Sequence, residues 1–254
     1  MDLDRITKSY SNGETPVYAL NDVTFDFPDS GLVILTGKSG CGKSTLLYSM
    51  AGIISLDYGK IYNEGIEISS FSEKQWDDYR NKTIGFVFQD FKLLNDKTVE
   101  ENLEIALDIQ KTQDHAKRIK SALAFVDLEE YGKRKVYELS AGQKQRVAIA
   151  RVLVKNSEII LADEPTGNLD ENNSEKIWNL LKRLSADHLI VAVTHDPKTA
   201  SKYADLVLKM SDGRICESYV PVVEGAESII VDVAGAKRQF AKGSHQALFE
   251  YLLS

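Results

Sequence analysis

Apolar and polar positions along the chain follow two periods. Val23 to Phe27 alternates, as a half-buried strand does, while Gly31 to Thr36 is apolar almost throughout, as a strand buried on both faces is. After Thr45 the spacing turns helical through Leu46, Leu47 and Met50 and stops at Gly52. A polar stretch with scattered β-formers reaches about Ser70, and Thr83 to Phe88 reads as another strand. From Thr98 to about Asp127 the period is that of a helix, carried first by Leu103, Ile105, Ala106, Leu107 and Ile109 and then by Ile119, Ala122, Leu123 and Val126. Ser140 is a good N-cap for a further helix with Val147, Ile149, Ala150, Leu153 and Val154 on its apolar face. A strand from Glu158 to Ala162, a helix from Asn172 to Leu184 and a strand from Leu189 to Thr194 restore β/α alternation. Strands on both sides of a helical stretch predict a mostly parallel α/β core carrying a helical subdomain.

Composition narrows the function classes. At 254 residues the chain fits one large domain or two small ones, on a norm of about 150 residues each. Thirty-one Lys and Arg against 38 Asp and Glu leave a net charge of −7, which weighs against a polyanion as main partner, so no nucleic acid is expected. The longest apolar runs, Leu32 to Leu35 and Leu189 to Val193, fall far short of the roughly 18 residues of a membrane span. The start, MDLDRITKSY, lacks the basic residues and apolar stretch of a secretory signal, and two cysteines, Cys41 and Cys216, make no disulfide framework. A reducing, cytoplasmic compartment is therefore expected.

The segment Gly37-Lys38-Ser39-Gly40-Cys41-Gly42-Lys43-Ser44-Thr45 satisfies the phosphate-loop pattern G-x-x-x-x-G-K-[ST], and it sits between a buried strand and a helix. There, backbone N–H groups and the helix N-terminus can point at phosphate oxygens. Lys43 supplies a point charge for the β- and γ-phosphates and the Ser44 hydroxyl a Mg²⁺ ligand. Cys41 occupies a position where a small residue suffices; beside Lys43 and a helix N-terminus it is also a candidate for thiol modification.

Ile159 to Ala162 is an apolar strand that runs into adjacent carboxylates, Asp163 and Glu164. Buried strands do not normally finish so without a cation or polar partner. Following a phosphate loop, the pair assigns Asp163 to Mg²⁺ and Glu164 to orienting and polarising an attacking water as the catalytic base.

Leu139-Ser140-Ala141-Gly142-Gln143-Lys144-Gln145-Arg146 resembles the signature sequence of ATP-binding cassette (ABC) proteins, with Ala141 where glycine is commonest. The remaining motifs match that family in order: Gln89 after TIGFVF looks like its Q-loop glutamine, Asn168-Leu169-Asp170 like its D-loop, His195 like its switch histidine and Tyr10 like the aromatic that stacks on adenine. The resemblance runs from Leu3 to about Glu217. It implies a P-loop NTPase core, a mostly parallel sheet with an antiparallel β part, formed by residues 1–89 and 157–217. A helical subdomain at 90–156 would carry the signature and 218–254 would be a C-terminal extension. It implies ATP and Mg²⁺ as cofactors, with Gln89 sensing the metal and γ-phosphate, His195 hydrogen-bonding that phosphate, and Ser140, Ala141, Gly142, Gln143 and Asp170 meeting nucleotide held by a second subunit. Each chain would then complete its partner's site in a head-to-tail dimer, most simply a homodimer.

Ile84-Gly85-Phe86-Val87-Phe88-Gln89-Asp90-Phe91-Lys92-Leu93-Leu94 looks most like the branch of macrolide exporters, lipoprotein-releasing and peptide transporters, and the cell-division ATPase. That implies a transmembrane permease, as separate subunit or fused membrane domain, with the ATPase at the inner face of the membrane. The alternative in the same branch is a non-transport regulatory ATPase of the cell-division type. Val136 stands where relatives often carry Pro, without an assignable consequence. Beyond Glu217, Ser228 to Val233 is β-like, and Phe240, Ala247, Leu248, Tyr251 and Leu252, with Lys237, Arg238 and Lys242, suggest an amphipathic closing helix. Two expectations stand for that tail: a lead into a membrane domain beyond Ser254, or an accessory tail on a free-standing subunit.

Overall fold

The computed structural model describes residues 1–11, 16–221, 228–233 and 236–241. They pack as two compact units, one from Met1–Ser69 with Val193–Ser254 and the other from Ser70–Ala192.

The first unit opens with an antiparallel pair, β1 (Asp2–Ser11) and β2 (Pro16–Asp26), in register from Asp2 opposite Asp26 to Ser11 opposite Pro16. The hydrophobic pattern predicts only the second half of β2. Strand β1 escapes it because its alternation is broken by register shifts between Leu3 and Ser9 and by Arg5 at φ 48°. Buried Leu3, Ile6, Leu20, Val23 and Phe27 still make one apolar face, each such burial being worth about 1.5–3 kcal/mol. Next come β3 (Gly31–Gly37), with Leu32 to Leu35 fully buried, α1 (Lys43–Met50), β4 (Tyr58–Asn63) and β5 (Ile66–Glu67). The order β2-β1-β4-β5 is the antiparallel sheet.

In the second unit, α2 (Glu73–Lys82) starts at a capping box of Ser72 and Gln75 and buries only Trp76, which meets Phe71 and Tyr79 edge to face. With a single buried residue it has no apolar stripe, and the pattern does not predict it. β6 (Ile84–Val87) follows. The predicted helical stretch is two helices, α3 (Val99–Gln110), capped reciprocally by Thr98 and Glu101, and α4 (His115–Phe125). Ser140 caps α5 (Ala141–Lys155) as its residue type predicts. β7 (Ile159–Asp163) pairs with β6 in parallel; α6 (Glu171–Leu184), capped by Asp170, leads to β8 (Leu189–Val193), and the strand order is β8-β7-β6.

At Val193 the chain re-enters the first unit. Asp196 and Pro197 start α7 (Pro197–Tyr203), then β9 (Leu206–Ser211) runs parallel to β3, and β10 (Arg214–Tyr219) pairs antiparallel with β9. β11 (Ser228–Val233) bears out the β-like reading and pairs antiparallel with β12 (Ala236–Ala241). Lys237, Arg238 and Phe240 therefore belong to a strand and not to a closing helix. The rest of that predicted helix, from Lys242 through Ala247, Leu248, Tyr251 and Leu252, lies outside the described residues. Among the described residues no helix is long and apolar enough to cross a membrane.

Candidate nucleotide site

Gly37 ends β3, and the loop Lys38–Gly42 delivers the chain to the N-terminus of α1. Gly42 is the N-cap residue at φ 105°, a left-handed conformation, and a Cβ there would lie 2.0 Å from the Ala19 carbonyl oxygen. Only glycine allows that approach. Lys38, Ser39 and Gly40 are exposed, Cys41, Ser44 and Thr45 partly so, and Lys43 is 6% exposed. The Lys43 ammonium donates to the carbonyl oxygens of Gly37 and Lys38, both at 2.9 Å, and faces Cys41 Sγ at 3.8 Å. Two of its three protons hold the loop closed, and the third meets only a weak sulfur acceptor that an anion can replace. No acidic residue stands in the first turn of α1, so no carboxylate of that turn competes for its N–H groups and dipole. A phosphate fits this donor set.

Two more predicted residues lie in the same unit. His195 is exposed in the short link between β8 and α7, and the preceding Thr194 N–H donates to the Leu35 carbonyl at 3.1 Å, tying that link to β3 two residues before Gly37. Tyr10, 45% exposed, stands near the end of β1 opposite Val17, with Lys8 Nζ 5.8 Å from its ring centroid.

The second unit gathers the other chemical groups. Asp163 ends β7, and Glu164 follows it at φ 45°, an uncommon left-handed conformation for a side chain of this size. Gln89 is exposed just past β6. Gly167 brings the two elements together: a Cβ at 167 would meet Gln89 Nε2 at 2.7 Å and Glu164 Oε2 at 3.3 Å. Gln89 and Glu164 thus converge on one bare backbone. Asn168 adds a tether, its Nδ2 donating to the Gln89 carbonyl at 3.1 Å. Sequence reasoning missed Gly167, and it read Asn168 only as part of the D-loop and not as a tether of Gln89; the local signal for the turn is the pair Gly-Asn after a proline. Within this unit Gln89 and Asp163 offer amide and carboxylate oxygens, and in the first unit Ser44 offers a hydroxyl, each a hard donor of the kind Mg²⁺ takes.

The signature segment occupies the start of α5. Ser140 Oγ accepts from the Gln143 N–H at 3.3 Å, and Gln143 Oε1 accepts from the Ser140 N–H at 2.9 Å. This capping box leaves Ser140 and Ala141 exposed while Gly142 is buried. At the start of α6, Asp170 accepts from the Asn173 N–H at 2.9 Å and the Asn173 side-chain amide at 2.6 Å, and these bonds hold its carboxyl below the ordinary range.

A family model described as ABC transporter matches residues 20–167. An uncharacterised ABC transporter ATP-binding protein of Methanocaldococcus jannaschii is 39% identical over 215 residues, which cover 84% of this chain and 96% of the relative. The macrolide export ATP-binding/permease protein MacB of Pasteurella multocida is 39% identical over 219 residues, covering 85% of this chain and 33% of that protein. A dimeric structure of a post-hydrolysis state of the ATP-binding cassette MJ0796, bound to ADP and Pi, matches with a TM-score of 0.79 at 34% identity, over 87% of this chain and 99% of that one. The macrolide-exporter branch read from the residues around Gln89 is thus represented among the relatives, and the solved cassette shares the α/β P-loop fold. A phosphate loop between β3 and α1, paired carboxylates after β7 and a capped signature helix, in a chain matched over more than half its length, have one reading: the chain belongs to the ABC transporter ATP-binding family.

Proposed function

We propose that this chain binds MgATP and hydrolyses it, working as the engine of a transporter: two copies close head to tail around two nucleotides and drive membrane subunits on opening. The convergence of Gln89 and Glu164 on Gly167 supports the reading most, because a carboxylate and a side-chain amide lie together just past two paired strands. Lys43, with Gly37 to Thr45, holds the phosphates, and Tyr10 stacks on the base. Ser44, Asp163 and Gln89 would hold Mg²⁺, which would supply charge neutralisation at the phosphates. Glu164 accepts a proton from the attacking water, and His195 hydrogen-bonds the γ-phosphate. Ser140, Ala141, Gly142, Gln143 and Asp170 serve the nucleotide of the partner copy, since a helix N-terminus capped by an exposed serine is an anion site.

In this reading residues 1–89 and 157–217 are the ATP-binding core, 90–156 the helical subdomain and 218–254 an extension. The partner is a permease, separate or fused, and the ATPase sits at the cytoplasmic face of the membrane. The relatives that are ABC ATP-binding proteins, and one that is a fused ATP-binding/permease protein, support this. Export, extraction and mechanotransmission all use the same cycle, and co-purification from membranes would separate them from the regulatory, cell-division-type alternative by identifying the partner. Glu164→Gln tests the chemistry: nucleotide binding is retained, turnover is abolished and the ATP-bound dimer accumulates in size-exclusion chromatography. Wild-type turnover in that variant would remove Glu164 from the mechanism.

A further inference from the structure

The turn after Gln89 is strained. Phe91 and Lys92 both adopt left-handed backbone, at φ 62° and 48°. Two consecutive positive φ values belong to a turn that ordinarily selects Asn and Gly, and large side chains pay a steric cost there. Its internal bonds are few: Phe91 N–H to the Phe88 carbonyl at 3.2 Å and Lys92 N–H to the Asp90 carbonyl at 2.6 Å. Lys92 also pairs with Asp90, but both side chains are about 60% exposed, and such pairs contribute little.

What holds the turn comes from elsewhere in the same unit. Arg151, on α5, donates from one terminal nitrogen to the Phe91 carbonyl at 3.1 Å and from the other to the Lys92 carbonyl. A planar fork of donors matches two successive carbonyls; a lysine ammonium on the same stem is a single point. The ends of the segment are anchored separately, Gln89 O by Asn168 and Leu94 by Asn102, whose amide both accepts from and donates to its backbone at 2.8 and 3.1 Å. Arg151 therefore secures the one part of the Q-loop that its backbone conformation would otherwise release. It lies eleven residues beyond Ser140 on the same helix, roughly 16 Å along the axis, so the N-terminus of α5 and the turn beside Gln89 move with one rigid element.

We propose that Arg151 is a positioning residue for Gln89: by clamping the left-handed Phe91–Lys92 turn it makes the Q-loop follow the signature helix. The inference rests on the ATPase reading above and adds a connection within one chain between its two nucleotide-facing elements. Arg151 touches no substrate and acts only through the loop.

The test uses the full chain. R151Q is expected to lower kcat about tenfold while KM for ATP stays within about twofold, the pattern of a misplaced catalytic group and not of weakened binding. R151K keeps the charge but one donor point, and falls between. K92G alone stays near wild type, and R151Q/K92G recovers most of the lost kcat, because glycine adopts positive φ without a clamp. In a Q89A background R151Q is expected to cost little more, as for two residues acting in series. Hydrogen–deuterium exchange of amides 91–94 speeds up in R151Q and returns toward wild type in R151Q/K92G. Wild-type kcat and exchange in R151Q would overturn the proposal, as would a full R151Q penalty in the Q89A background or failure of K92G to rescue. If R151Q does not fold, R151K and R151K/K92G decide by the same criteria. If the wild-type chain hydrolyses no ATP, the ATPase reading fails, and the exchange data still decide whether Arg151 holds the turn.

Discussion

Asn173 lies against the bare face of Gly142: a Cβ at 142 would come within 2.6 Å of Asn173 Oδ1 and 2.7 Å of its Cγ. Asn173 cannot swing away freely, because Asp170 holds both its backbone and side-chain amides. The signature segment thus carries alanine where its methyl is exposed, at 141, and glycine where a methyl has no room, at 142. Gly142→Ala is expected to destabilise the chain by about 1–3 kcal/mol through overpacking, read as a lower thermal midpoint. Ala141→Gly is expected to cost less than about 1 kcal/mol, the helix-propensity difference alone. Equal effects at the two positions would remove Asn173 from the explanation.

Cys41 is partly exposed in the phosphate loop, with its sulfur 3.8 Å from Lys43 Nζ. Alkylation there adds bulk inside the phosphate loop and removes the weak contact to the ammonium. Iodoacetamide is expected to block nucleotide binding in the wild type, and ATP to slow the reaction. Cys41→Ala should bind nucleotide and resist the reagent, since the other thiol, Cys216, lies on β10. Inactivation of Cys41→Ala at the wild-type rate would place the sensitive group elsewhere.

Asp57 accepts from Lys8 Nζ at 2.8 Å, Ser9 N at 2.7 Å and Ser9 Oγ at 2.8 Å, and these bonds, the Lys8 one foremost, hold its carboxyl down at about 2 against an ordinary 3.8. A carboxyl depressed in the folded state binds fewer protons there than in the unfolded chain. Its contribution is therefore complete above pH 3.8 and is lost as pH falls toward 2. Asp57→Asn is expected to flatten the acid limb of a plot of urea midpoint against pH in that window, and to loosen β1 beside Tyr10.

Lys155 gives the same sign at the alkaline end, from the opposite cause: burial disfavours its charged form. Burial, helped by the charge of Arg151, lowers its pKa from 10.5 to about 8, although its ammonium donates to the Arg80 and Ile84 carbonyls, both at 2.9 Å. Between those pH values the unfolded chain binds more protons than the folded one, so stability from this group rises as pH climbs from 8 toward 10.5. Lys155→Met is expected to remove that alkaline rise in chemical-denaturation midpoints. An unchanged slope would mean the amine titrates normally.

Legibility followed the range of the interactions. Ser140 and Gln143 cap α5 from within four residues, and the glycines of the phosphate loop sit between a buried strand and a helix, so both could be read from adjacent letters. β1 could not, because register shifts and a left-handed Arg5 disrupt its alternation; nor could α2, whose single buried side chain leaves no stripe. The apolar residues beyond Phe240 suggest a closing helix that includes it, yet its partner is Ile229 on β11. The individual motif residues were recognisable, but their supports were not: Asn168 reaches Gln89 across 79 positions and Arg151 reaches Phe91 across 60.

By itself the sequence determined the alternation of strands and helices, the phosphate loop, the paired carboxylates and the family, because each depends on residue types a few positions apart. Tertiary structure decided which glycines are indispensable, that Gln89 and Glu164 converge on Gly167, and that a cation on the signature helix holds the strained turn beyond Gln89. The physical reason is that steric room and hydrogen-bond partners are set by whatever segment the fold brings alongside, and no local period records that neighbour.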